Sequence, residues 1–126
     1  MNLNRHDIIG RVGNTPNSKT LPNGNIQVTF SIATTYSYTK DGESIKSTDW
    51  HNAVCYNKVA EICNQLINKG DLAFVSGRHQ MKAYRKEGDE YDRIFSSILV
   101  DKIILLKKGD NNEYKKPSNQ KQSIPF

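Results

Sequence analysis

A chain of 126 residues is long enough for one domain with its own core but not for two, and a hydrophobic fraction of 36% places part of it outside that core. Eighteen Lys and Arg against thirteen Asp and Glu leave a net charge of +5, which favours a polyanionic partner through counterion release. No stretch approaches the roughly 18 apolar residues of a membrane span and MNLNRHDIIGRVG has no apolar leader run, so no membrane partner and a cytoplasmic protein are expected.

Arg5 to Val12 reads as a first strand anchored by Ile8, Ile9 and Val12 and closed by Gly13-Asn14-Thr15-Pro16. Pro22-Asn23-Gly24 marks a turn. Ile26, Val28, Phe30 and Ile32 then alternate with Gln27, Thr29, Ser31 and Ala33, the pattern of a strand with one face in a core and the other in water. Thr34 to Lys46 is polar, carries Tyr36 and Tyr38 and turns at Asp41-Gly42, which predicts a projecting hairpin. Strand period sets both tyrosines in phase with Ile32, so a bulge is expected before either can face outward.

A third strand runs from Thr48 to Tyr56, and Asn57 is placed to cap a helix from Lys58 to Lys69. Val59, Ile62, Cys63, Leu66 and Ile67 fall on one stripe of that helix, and Gly70 is its expected stop. Asp71 to Tyr84 reads as the fourth strand with a bulge or bend at Gly77, Lys86 to Glu90 as a hairpin tip, and Tyr91 to Leu106 as the last strand. Three strands, a helix and two strands is the order of the OB-fold, a mainly β architecture. The expected form is a five-stranded Greek-key barrel over residues 1–107, with one helix between strands 3 and 4. Residues 108–126 show no hydrophobic period and too little apolar surface to offset their ordering entropy, which predicts a disordered C-terminal tail ending in Ile124-Pro125-Phe126.

Trp50 and Tyr56 have the same strand parity, which sets two flat π-faces on one side of a sheet where unstacked bases could lie. Tyr38, Tyr84, Tyr36 and Tyr91 lie on or beside strands with polar neighbours and are further candidates. Each aromatic could instead fill the barrel, but Trp50 stands among Asp49, His51 and Asn52, whereas a core Trp usually has apolar neighbours. Arg78, Lys82, Arg85, Lys86 and Arg93 cluster about the last hairpin, interleaved with Tyr84 and Tyr91, and Lys58 lies beside the third strand. Phosphates need such cations close to stacked bases, although a solvated surface looks the same in sequence.

Catalytic signatures are not found. His6, His51 and His79 are isolated, no HxxxH, GxSxG or Walker sequence occurs, and the acidic residues are scattered. Cys55 and Cys63 have no CxxC spacing and read as buried thiols in a reducing compartment, so neither a metal nor another cofactor is expected. A binding protein rather than an enzyme follows.

With Thr48-Asp49-Trp50-His51-Asn52-Ala53-Val54-Cys55-Tyr56-Asn57-Lys58-Val59-Ala60-Glu61 as its densest part, the stretch from about Arg5 to Leu106 resembles the bacterial-type single-stranded DNA-binding protein family. Gly10-Arg11-Val12-Gly13, Leu21-Pro22-Asn23-Gly24, Phe30-Ser31-Ile32-Ala33 and Gly77-Arg78 add to the likeness. The resemblance implies non-specific coating of single-stranded DNA in replication, recombination and repair, in association with the nucleoid. It further implies base stacking on the residues at Trp50, Tyr56, Tyr84 and Tyr38, with Tyr36 as the alternative to Tyr38. A homo-oligomer is implied too, usually a tetramer, with His51 near a subunit interface.

The end of the chain departs from that pattern. Lys121-Gln122-Ser123 stands where the family has acidic residues, while Ile124, Pro125 and Phe126 keep the tip that docks replication and repair proteins. A tail carrying Lys107, Lys108, Lys115, Lys116 and Lys121 is expected either to add to DNA binding or to act as an inert solubilising segment. Two other functions fit an OB-fold: a primosome-type protein-interaction module with secondary DNA binding, expected to show few exposed aromatics and an acidic or mixed groove, and a metal-dependent nuclease component.

Overall fold

The computed structural model describes residues 1–109. Of the expected tail, residues 110–126, with Ile124, Pro125 and Phe126, lie outside the described residues. The elements in chain order are β1 (His6–Val12), β2 (Asn17–Thr20), β3 (Ile26–Lys40), β4 (Glu43–Tyr56), α1 (Asn57–Leu66), β5 (Leu72–Tyr84) and β6 (Arg93–Lys107). They form one sheet in the order β1-β5-β6-β4-β3-β2, and a β1–β3 pairing at Arg11↔Ala33 and Val12↔Ile32 closes it. The closed circuit β1-β5-β6-β4-β3 is the expected five-stranded barrel, with α1 between its third and fourth strands in chain order.

The short strand β2 was not anticipated. All four of its residues are exposed, so no hydrophobic alternation marks it, and its pairing with Ile26 to Thr29 of β3 is carried by the backbone. Closure itself follows from the apolar alternation. Val12, Val28, Ile32, Val75 and Ile98 are almost wholly buried inside the barrel, and burying each contributes about 1.5–3 kcal/mol. Ile9, read as an anchor, points outward and is 57% exposed, because Ile8, Gly10 and Val12 take the inward positions of β1.

Gly77 marks a register shift in β5 against β6, as the sequence suggested. The backbones there are so close that a Cβ on Gly77 would stand 2.0 Å from the Leu99 carbonyl oxygen. The hairpin between β3 and β4 is also as expected: Asp41 and Gly42 both have positive φ, the geometry of a two-residue turn that matches strand twist.

The helix differs from expectation at both ends. Asn57 lies inside it with φ near 51°, the N-cap position is Tyr56, and no side chain caps it. The Asn57 side chain instead accepts a hydrogen bond from the Ile26 backbone N–H, so it joins β3 to the start of the helix. At the other end the helix stops at Leu66 rather than Lys69. Ile67 turns to extended backbone and is 2% exposed, which takes its side chain into the core. Ala60 and Cys63 are buried beside it, whereas Ile62 of the expected stripe is 41% exposed. The turn after the helix is held by Asp71, a buried carboxylate that accepts from the Asn68 N–H at 2.8 Å, the Gly109 N–H at 2.9 Å and Lys108 Nζ at 3.3 Å.

Candidate nucleic-acid interface

One ladder fixes the faces. β3 and β4 pair without a register break from Gln27↔Tyr56 to Lys40↔Glu43. Alternation then sends Val28, Phe30 and Ile32 inward with their partners Cys55, Ala53 and His51, and sends Gln27, Thr29, Ser31 and Ala33 outward with Tyr56, Val54, Asn52 and Trp50. β6 joins β4 in parallel with Val54 beside Leu99, and β5 joins β6 through Arg78↔Leu99, Gln80↔Ser97, Lys82↔Phe95 and Tyr84↔Arg93.

Trp50, Tyr56, Phe95 and Tyr84 therefore share one outer surface with Arg78, Lys82 and Arg93. No Asp or Glu occupies an outward position of this surface between residues 27 and 35, 48 and 56, 78 and 84, or 93 and 99. A polyanion laid across it meets aromatic rings, amides and cations on the strands, and carboxylates only at the β5–β6 tip, where Asp89 and Asp92 stand.

Trp50 is 59% exposed, and the far edge of its indole lies over Gly13. Tyr56 is half-buried and its hydroxyl accepts a hydrogen bond from Gln27 Nε2 at 3.1 Å, which fixes the ring at the end of the strand. Two clefts of about 360 and 320 Å³ open on the surface. The first is lined by Tyr56, Asn52, Gln80, Lys82 and Ser97, the second runs from Trp50 and Asn52 into the barrel mouth, where His6, His51 and His79 line it, and Phe95 lines both. Asn52 Nδ2 donates to the Ser96 carbonyl oxygen at 3.2 Å and holds the two strands together where the clefts meet.

The remaining candidates are distributed around this surface. Tyr36 and Tyr38 stack on each other with ring centroids 6.2 Å apart, on the face of the β3–β4 ribbon opposite Trp50. No bulge was needed to expose them, because the ribbon runs past the end of the barrel at Ile32 and leaves its inward-phased face open. Tyr91 is 76% exposed at the β5–β6 tip rather than inside the last strand. Lys58 is exposed in the first turn of α1, next along the chain from Asn57.

At the tip, Arg85 pairs with Asp92 and Arg93 with Asp89, each at 2.9 Å, so these two cations are partly neutralised. Hydrogen bonding to Asp89 holds the Arg93 guanidinium even more firmly protonated than usual. Arg78, Lys82 and Lys86 form no ion pair among the described residues.

His51 turns inward at the barrel mouth, with Nε2 3.0 Å from the Thr34 hydroxyl. Its ring meets His6 edge-on at 5.6 Å, and His6 meets His79 at 5.8 Å. Partial burial, then the charges of His51 and His79, push the His6 pKa below its ordinary value. The three histidines looked isolated because only closure of β1, β4 and β5 brings them together. Among the described residues no group of three or more His, Cys, Asp or Glu is placed to hold a metal ion. Phe95 was also missed as a surface residue, although Ser96-Ser97 beside it breaks the apolar run of the last strand.

Residues 3–106 match the model of the single-strand binding protein family. The chain belongs to that family. The single-stranded DNA-binding protein of Neisseria meningitidis serogroup A is 35% identical to this family member over 114 residues, covering 90% of this chain and 64% of the relative. This chain thus spans a little under two thirds of that relative. The single-stranded DNA-binding protein of Bacteroides thetaiotaomicron is 32% identical over 115 residues, covering 88% of this chain and 71% of its own. Among solved structures, a Plasmodium falciparum SSB in complex with ssDNA superposes with a TM-score of 0.77 at 26% identity, over 85% of this family member and 97% of that chain. A small single-stranded DNA-binding protein from Streptomyces coelicolor shares the fold with a TM-score of 0.66 at 24% identity, over 83% and 95%.

Proposed function

We propose that this protein coats single-stranded DNA without strong sequence preference and protects it during replication, recombination and repair, with no catalytic step of its own. The observation that carries the reading is the carboxylate-free outer strand surface on which Trp50 and Tyr56 stand in line on β4, with Tyr84, Arg78 and Lys82 across it. Bases stack on any flat ring at about 1–3 kcal/mol each, and the cations take the phosphates, so the surface recognises what every strand has in common. The Plasmodium falciparum relative, solved with ssDNA, supports the same reading. The exposed aromatics and the absence of acidic residues from the outward strand positions favour it over a primosome-type interaction module.

Trp50 is the only tryptophan, so its emission reports directly on the surface. Titration with oligo-dT at low salt should quench it; a folded protein whose emission does not change would exclude this function.

The arm tyrosines Tyr36 and Tyr38, the tip residues Tyr91, Arg85, Lys86 and Arg93, and Lys58 would extend the contact along a longer strand. A homo-oligomer, usually a tetramer in this family, belongs to the same proposal. Ile9, Phe74 and Ile104 lie in register across β1, β5 and β6 on a second outward face, with Ile9 57% and Ile104 44% exposed, and such an apolar row supports self-association. His51 is the interface candidate at the barrel mouth. Ile124, Pro125 and Phe126 would engage replication and repair proteins, and the protein would act at the nucleoid in the cytoplasm, both on the family resemblance alone.

A further inference from the structure

We propose that Phe95 is a base-stacking residue, the wall that divides the DNA surface into two adjoining base seats. The proposal rests on the single-stranded DNA reading above. Phe95 is 44% exposed in the middle of a sheet face whose neighbouring positions are polar, with Lys82 directly across the ladder. Its ring has no place in the core, because the inward positions of β6 are taken by Ile98 and Val100. Leaving so large an apolar side chain in water forgoes burial energy that a flat ligand would recover.

The geometry names the ligand chemistry. Phe95 lines both clefts, the one that ends at Tyr56 and the one that runs from Trp50 into the barrel mouth between β4 and β6. Bases seated in the two clefts would lie on either side of its ring. Asn52 and Ser97 line both clefts and Gln80 adds to the first. Asn52 is fixed by its bond to the Ser96 carbonyl, and Gln80 Nε2 donates to Ser97 Oγ at 3.3 Å. Carboxamides offer both donors and acceptors, so such a lining can meet the polar edge of any base without demanding one. Lys82 beside the ring supplies a cation for the connecting phosphate.

Moving the only tryptophan tests this directly. In the double variant Trp50→Tyr, Phe95→Trp the sole indole stands at position 95, and oligo-dT should quench it as it quenches Trp50 in the wild-type protein. Phe95→Ala should weaken binding of a short oligo-dT by about five- to a hundredfold with the wild-type Tm kept, and Phe95→Tyr should restore most of it.

Quenching of Trp50 in the wild type without quenching at position 95, or wild-type affinity in Phe95→Ala, would overturn the role of Phe95 alone. Lack of quenching at both positions would overturn the DNA reading itself. Loss of oligomer mass in Phe95→Ala would assign the ring to a subunit interface and also overturn the proposal.

Discussion

The indole of Trp50 rests on Gly13: a Cβ built there would stand 2.3 Å from Cζ3 and 2.9 Å from Cη2 of the ring. Gly13 closes β1 with its N–H bonded to the Ser31 carbonyl at 2.8 Å, so the end of the first strand supplies the floor on which the exposed indole lies. The displaced atoms are the outer edge of an exposed side chain, which can swing away, rather than backbone. Gly13→Ala is therefore expected to leave the fold intact, with a Tm close to the wild type, while tilting the indole off its seat. The readout is a changed Trp50 emission together with weaker oligo-dT binding. A variant that binds normally would show that the position of the ring is not set by this contact.

Lys82 and Arg85 should part company in salt titrations. Lys82 lies on the outer surface beside Phe95 and forms no ion pair among the described residues, whereas Arg85 is already joined to Asp92. Each phosphate contact on a single strand adds about 0.7 to the slope of log affinity against log salt. Lys82→Ala should lower that slope by roughly this amount and weaken binding at low salt. Arg85→Ala should change it less, because part of its charge is spent on Asp92. Equal slopes for the two variants would place the phosphate path over the tip instead.

Much of this architecture was legible because barrel and surface share one code. Alternation along Ile26 to Ala33, the Asp41-Gly42 turn and the Gly77 irregularity all follow from backbone rules that act within a few residues, and the parity of Trp50 and Tyr56 needed nothing more. The failures are equally physical. Asn57 has the right chemistry for a helix cap, but the Ile26 N–H took its oxygen, and that partner lies 31 residues away. Tyr36 and Tyr38 followed strand parity; only the length of the barrel, which ends below them, decides that their face is open. The His6, His51 and His79 cluster and the place of Phe95 between two clefts arise from pairings between β1, β4, β5 and β6 that no local pattern encodes.

Gly77 offers the opposite case to Gly13. A Cβ there would meet the Leu99 carbonyl oxygen at 2.0 Å and the Val100 Cα at 2.9 Å, all backbone of the adjacent strand. Neither can swing aside without separating β5 from β6 at the bulge that re-phases the ladder. Overpacking of this kind costs about 1–3 kcal/mol or more, so Gly77→Ala should lower the Tm by about 5 °C or more. Thermal unfolding of Gly77→Ala beside Gly13→Ala checks both expectations, and equal Tm values for the two would contradict the distinction between backbone and side-chain contact.

Stability should fall on mild acidification, and His6 is the reason. His51 from β4 and His79 from β5 stand edge-on to its ring at 5.6 and 5.8 Å, and burial together with their charges disfavours its protonation more than nearby Asp7 favours it. Its pKa in the folded protein is thus lower than in the unfolded chain, where it is near 6.5. Between those two values the unfolded chain binds more protons than the folded one, so stability rises with pH across that interval. The contribution is fully present above about pH 6.5 and is lost as the pH falls through the folded value. Asp7 acts in a separate window, since hydrogen bonds from Ser76 and Arg5 hold its pKa below the usual carboxylate range and its effect is lost only in stronger acid. Wild-type Tm should therefore be lower at pH 5.5 than at pH 7.5, and His6→Gln, which cannot be protonated, should narrow that difference. An undiminished difference in His6→Gln would trace the acid sensitivity to another group.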